Sequence, residues 1–123
     1  MSRLCVTTDQ ISTAQTGMLS RFDERMARHL WPFYGAPRSI TGPAFTEFVT
    51  QFRQAAQARG FRHERHLLDL VEAYMLNGWA LELQPKFEQI VAAPMLTAEE
   101  KARRIRQIFV SAHPDYQPEA RSA

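Results

Sequence analysis

The sequence predicts an all-α fold, a compact single-domain bundle of about five helices. Three observations carry this. Apolar side chains recur at spacings of three, four and seven along most of the 123 residues, and strand-like alternation is hard to find. Proline and glycine cluster between those segments instead of inside them. Thr97 is followed three residues later by Glu100, the signature of a helix start.

From Thr8 to Leu30, an inner stripe is formed by Ile11, Met18, Phe22, Met26 and Leu30, with Asp23, Glu24, Arg25 and Arg28 on the other face. Thr8 or Asp9 can cap its start. The segment "HLWPFYGAPRSITGP" ends this helix, because Pro32, Gly35, Pro37, Gly42 and Pro43 oppose its continuation. A second helix is expected from Pro43 to Arg59, with proline in the first turn where its missing N–H costs nothing. Phe45, Phe48, Val49, Phe52 and Ala56 form its buried stripe. Gly60 suits the left-handed position after a helix, with Phe61 packing back on the last turn.

The third pattern, His63 to Asn77, is apolar around much of its circumference through Leu67, Leu68, Leu70, Val71, Tyr74 and Met75, which marks a central helix. Gly78 stops it. "WALELQP" reads as extended or a loose turn. A short helix follows Pro85, with Phe87, Ile90 and Val91 on one face, and Pro94 ends it. In the last helix Glu99 and Glu100 precede Lys101, Arg103, Arg104 and Arg106, an order that complements the helix dipole. Its inner stripe is Ala102, Ile105, Ile108 and Phe109. Residues 1–114 are read as one helical domain and 115–123 as a mobile C-terminal tail with no core to join.

Fifteen basic and thirteen acidic residues leave a formal charge of +2, too small a surplus to point to a nucleic-acid surface despite a pI near 9.0. Nearly all the cations are arginine, which favours planar contacts to protein carboxylates. No apolar run approaches the ~18–20 residues that cross a bilayer, and the N-terminal residues lack a secretory apolar segment. The expected address is cytoplasmic. Cys5 is alone, so no internal disulfide forms; a nucleophile would need a base and an activating environment, and Cys5 sits near a terminus expected to be mobile.

His63 and His66 share a helix face, but their spacing is not the H-E-x-x-H of a zincin, and a polar first turn with Glu64 near the positive end of the dipole is the favoured reading. Neighbouring carboxylates such as Asp23 with Glu24 do not face each other on a helix. The phosphate-cradling glycine loops are missing. No enzyme, catalytic residue, metal or cofactor is expected. "KARRIRQIF" has arginines that can reach phosphates, yet its apolar residues need a core, and a solvated face is favoured. The aromatics of "HLWPFYG" and "NGWALEL" either close over a small core or anchor a protein partner. By elimination the chain fits a binding module.

The stretch from Phe45 to Ile105 resembles a family of small helical proteins encoded beside type VI secretion spike, adaptor and effector genes. The likeness is carried by Phe48-Val49, Gly60-Phe61, Glu64-Arg65, Gly78, Pro85 with Phe87, Pro94 with Leu96-Thr97, and Glu100-Lys101. It covers about half the chain or more. His63 stands where the family pattern has a Ser or Thr cap, and "NGWALEL" lacks its acidic turn. The resemblance implies a co-chaperone that binds an effector chaperone or adaptor and helps regulate effector loading onto the spike, with effector or spike-tip protein as further partners. Neither nucleic acid nor membrane is an expected partner. Trp31, Phe33, Tyr34, Trp79 and Leu81 are the expected contact residues. The alternatives are an immunity protein that blocks a toxin, or a helical DNA-binding regulator.

Overall fold

The computed structural model describes residues 21–122, and among them every regular element is helical. The chain forms an all-α bundle. Its elements are α1 (residues 21–34), α2 (Gly42–Ala58), α3 (Glu64–Asn77), a 3₁₀ segment (Gly78–Leu83), α4 (Pro85–Ala92), α5 (Ala98–Ile105) continued by a π turn (Arg106–Ser111), and the short α6 (Glu119–Ser122). A single 3₁₀ turn, Ala36–Arg38, lies between α1 and α2. The proposed caps at Thr8 and Asp9, the stripe residues Ile11 and Met18, and Cys5 lie outside the described residues.

Helix α3 is the centre. It packs against α2, the 3₁₀ segment, α5 and the π turn, so residues all around it are buried, from Leu67, Leu70 and Val71 to the polar Asp69 and Glu72. This is the physical meaning of its wide apolar arc. The two carboxylates within it went unforeseen, because their partners come from elsewhere in the chain. Tyr34 of α1 donates to Glu72 at 2.6 Å, and Arg106 of the π turn contacts Asp69 at 3.4 Å.

Helix α1 is fastened to α2 by a buried ion pair. Arg53 donates through Nε and Nη2 to the two oxygens of Asp23, at 3.1 and 2.7 Å, while Thr50 donates to the same carboxylate at 2.9 Å. Such a pair is stable only when its remaining polar atoms are satisfied. The third arginine nitrogen, Nη1, donates to Gln57.

The helix stops follow the sequence closely. The Gly60 and Phe61 N–H groups donate to the carbonyls of Gln57 and Ala56, the paired bonds of a Schellman motif, with Gly60 at φ +97° and Phe61 buried. Thr41 caps α2 and Thr97 caps α5, each accepting a backbone N–H three residues on. The Glu100 carboxylate takes the Thr97 hydroxyl, so that the second arm of the box is a side-chain bond instead of a backbone one.

Four expectations change. Helix α1 runs through Pro32 to residue 34, because Gly35 N–H reaches the Trp31 carbonyl at 2.8 Å and only the bond proline cannot make is lost, on an exposed side of the helix. Of the two readings of "WALELQP", the extended one is excluded and the turn is more regular than expected, a 3₁₀ segment over Gly78–Leu83. On the π turn that continues α5, Phe109 and Val110 enter the core, while Ile108, expected on the inner stripe, is exposed. The residues after Pro114 do find a core. Ala120 is buried, Tyr116 packs partly against the core, and Gln117 N–H donates to the Tyr34 hydroxyl at 3.1 Å.

Candidate functional site

The surface feature that stands apart is a tier of aromatic rings running from the core to solvent between α2 and the 3₁₀ segment. Phe45, Val49, Phe52 and Ala56 sit at i, i+4, i+7 and i+11 of α2 and are buried. Phe48 lies on the shoulder of that stripe, so it was wrongly assigned to the interior; it is 43% exposed. Its ring stacks on Phe52 with centroids 6.4 Å apart. Phe52 stacks in turn on Tyr74 at 5.6 Å and meets the edge of Trp79 at 5.6 Å. Trp79 closes the tier at the other end and is 52% exposed.

Trp79 is held in place by its neighbours in the 3₁₀ segment. Leu81 is fully buried. Glu82 accepts the Tyr74 hydroxyl and lies 3.6 Å from Arg59, which also donates to Glu88 of α4 at 2.6 Å. The same guanidinium lies 5.8 Å from the centroid of Phe87. Burial, reinforced by the bond to Glu82, raises the Tyr74 pKa well above the ordinary tyrosine value, so the hydroxyl remains a donor. The bond to Glu88 outweighs burial and raises that of Arg59. A six-residue segment pinned by a buried leucine and a clamped carboxylate presents its tryptophan on a rigid base.

A cleft of about 220 Å³ opens beside the tier. Phe45, Phe48 and Phe52 form one wall, Met75 the floor, and Ile40 and Tyr34 the opposite side. Arg38 stands at its rim, with no ion-pair partner among the described residues. Trp31 borders it: its Nε1–H donates to the Ile40 carbonyl at 2.7 Å. Gly35 permits this arrangement, because a Cβ there would collide with both Trp31 Cδ1 and Phe45 Cδ1.

The five expected contact residues therefore separate. Trp79 and Trp31 offer rings to solvent, the latter at 36% exposure. Phe33 is partly buried against the core. Tyr34 and Leu81 are core residues: Tyr34 reaches the cleft only as part of its wall, and Leu81 lies beneath Trp79 in the chain, fully enclosed. The residues that complete the surface and were missed are Phe48, Ile40, Arg38 and Met75. One signal was available: "FTEFVTQF" carries more phenylalanine than one buried stripe accommodates.

Other chemistry is sparse on this surface. His63 and His66 have rings 5.4 Å apart, but among the described residues no group of three or more His, Cys, Asp or Glu is placed to hold a metal ion. No helix among them is long and apolar enough to cross a membrane. The basic residues of α5 diverge: Lys101 donates to the Val91 carbonyl at 2.7 Å, and Arg106 is engaged with Asp69 and Tyr116. Fold and surface together describe an all-α bundle with a supported aromatic cleft. No protein-family model, curated protein or solved structure matches the chain.

Proposed function

We propose that this protein is a non-enzymatic binding module whose aromatic cleft holds a protein partner. The particular reading is the one its sequence resemblance implies, a co-chaperone that engages an effector chaperone or adaptor during loading of a type VI secretion spike. One observation carries the binding role: the unbroken ring contact from Phe48 through Phe52 to Trp79, with both ends exposed. Large aromatic side chains standing on a rigid base lose little conformational freedom on binding and displace much water, which is why they dominate protein-interface energetics.

A handover role asks for an interface that forms and exchanges. A small aromatic patch of this kind suits a complex whose direction is set by affinity differences between successive partners. Apolar anchors supply affinity, and Arg38 at the rim, without an ion-pair partner among the described residues, adds orientation for a partner carboxylate.

The test is a pull-down of the tagged full chain from its native host, followed by size-exclusion chromatography of the co-expressed pair. A secretion adaptor, spike or effector protein is expected to co-elute, and Trp79→Ala with Phe48→Ala is expected to release it while the helical circular dichroism is retained. Absence of all three protein types from the eluate, with the chain folded, overturns the secretion reading. Undiminished capture by the double variant overturns the aromatic cleft as the contact surface.

A further inference from the structure

We propose a second docking face, distinct from the aromatic cleft: the groove between α4 and the α5–π-turn helix binds an acidic amphipathic helical segment of a partner protein. The groove is about 450 Å³ and lies over the loop that joins α4 to α5. Its floor is apolar, made by Ile90, Leu96 and Ile108. Its polar lining is cationic or neutral: Lys86 and Gln89 from α4, Arg104 and Gln107 from the other side. No carboxylate lines it.

The aromatic cleft also lacks a carboxylate, but it carries one cation, Arg38, where this groove carries two. Two other surface hollows each set two carboxylates against three arginines, Glu24 and Glu64 in one and Asp69 and Glu99 in the other. Lys86 and Arg104 have no ion-pair partner among the described residues. Of the neighbouring cations, Lys101 is tied to the Val91 carbonyl and Arg106 to Asp69, while Arg103 lines the separate hollow that holds Asp69 and Glu99. The Lys101 bond also fastens the start of α5 to the end of α4, so the groove has fixed walls.

Ile108 lies on the π turn and lines the groove, exposed, while Phe109 and Val110 beside it turn into the core. π turns inside α-helices occur often at functional sites. An exposed isoleucine between Arg104 and Gln107 fits an occupant with an apolar row flanked by carboxylates, the helix-in-groove mode. The recessed floor sets a peptide helix apart from a bilayer, whose flat surface meets the rim first. The aliphatic floor offers no ring on which a nucleobase stacks.

The experiment titrates the purified full chain into a fluorescein-labelled amphipathic peptide of about four helical turns, carrying Leu at i, i+4 and i+7 and Glu on both flanks. Fluorescence anisotropy is read against the same peptide with every Glu replaced by Lys, against phosphatidylserine-containing vesicles, and against duplex DNA. The acidic peptide is expected to bind in preference to all three, more weakly as salt rises. Lys86→Glu with Arg104→Glu should weaken it by about tenfold or more, the scale of two lost ion pairs, and shift preference toward the Lys peptide; Ile108→Ser should weaken both peptides. All these positions are exposed, and retained circular dichroism confirms the fold. Failure of the acidic peptide to bind, equal binding of the two peptides, insensitivity to the charge reversals, or stronger binding to vesicles or DNA overturns the proposal. Because the probe contains no secretion protein, its outcome is independent of the co-chaperone reading.

Discussion

The hydroxyl of Tyr34, at the end of α1, donates to the carboxylate of Glu72 in the middle of α3 across 2.6 Å, with both side chains buried. The same oxygen accepts from the Gln117 N–H of the C-terminal segment at 3.1 Å. One phenol thus joins three parts of the chain that lie far apart in sequence.

Tyr34→Phe is expected to destabilise the fold by about 1–3 kcal/mol, since it keeps the ring but removes a hydrogen bond to a buried carboxylate and strands a backbone donor. Urea denaturation measures this. Limited proteolysis separates the two losses: cleavage after Pro114 should accelerate in the variant under conditions where the remaining fold resists. Unchanged cleavage would show that the Gln117 contact does not hold the segment.

Arg53→Ala should be more severe, costing about 3–5 kcal/mol, because it leaves Asp23 buried with, among the described side chains, Thr50 alone against its charge. Replacing both partners, Asp23→Leu with Arg53→Met, should recover much of that loss by removing the uncompensated charge along with the pair. A double variant as unstable as Arg53→Ala would mean that the network stabilises beyond its own desolvation cost.

These polar joints mark where the sequence stops being legible. Local rules suffice for the stops at Gly60 and Gly78, the Thr97 cap, and the buried stripe of α3, because each depends on residues within a turn or two of one another. Glu72 and Asp69 could not be placed, since a carboxylate enters a core only if a distant tyrosine or arginine meets it. Ile108 and Phe48 differ from expectation for another reason: each sits on the shoulder of a buried stripe, beside a core residue, where sequence spacing does not separate the inner face from the outer. For the candidate site, Trp31 and Trp79 stand out in the sequence as aromatics of segments read as irregular, whereas the cleft itself is lined by residues of α1, the following turn, α2 and α3 that only packing brings together.

Alkaline pH should unfold the protein through its two buried tyrosines. Burial first, and then the bonds to Glu72 and Glu82, raise the pKa values of Tyr34 and Tyr74 above the ordinary 10.0. Above about pH 10 the unfolded chain loses these protons while the folded chain keeps them, so fewer protons are bound in the unfolded state and stability falls, by about 1.4 kcal/mol per pH unit for each tyrosine. Below that pH their contribution is constant. The Tyr34→Phe, Tyr74→Phe double variant, less stable at neutral pH, should show a shallower decline when urea midpoints are compared across the alkaline range. Parallel slopes would remove the tyrosines as the cause.

Gly35→Ala should disturb the cleft with modest effect elsewhere, because the added methyl meets Trp31 and Phe45 side chains and not backbone. Overpacking of this kind costs about 1–3 kcal/mol. The chain has two tryptophans, so in a Trp79→Phe background the emission of Trp31 alone is read. A shift toward the emission of a more exposed indole, with loss of the Nε1–H bond to Ile40, is expected. An unchanged spectrum would show that the indole tolerates the extra carbon.

Leu81 and Trp79 stand two residues apart and should respond in opposite ways. Leu81→Ala removes a fully enclosed side chain and leaves a cavity against α3, an effect expected to cost about 2–5 kcal/mol. Trp79→Ala removes a larger side chain, yet half of it already faces water and its lost contacts are the faces toward Phe52 and Tyr74. It should cost less stability than Leu81→Ala while losing more partner affinity, so the ranking of the two variants reverses between denaturation and binding. Both are measured on the full chain, by urea midpoint and by pull-down yield at matched folded fraction. If Trp79→Ala proves the more destabilising of the two, its ring belongs to the core of the 3₁₀ segment and the aromatic tier ends at Phe48.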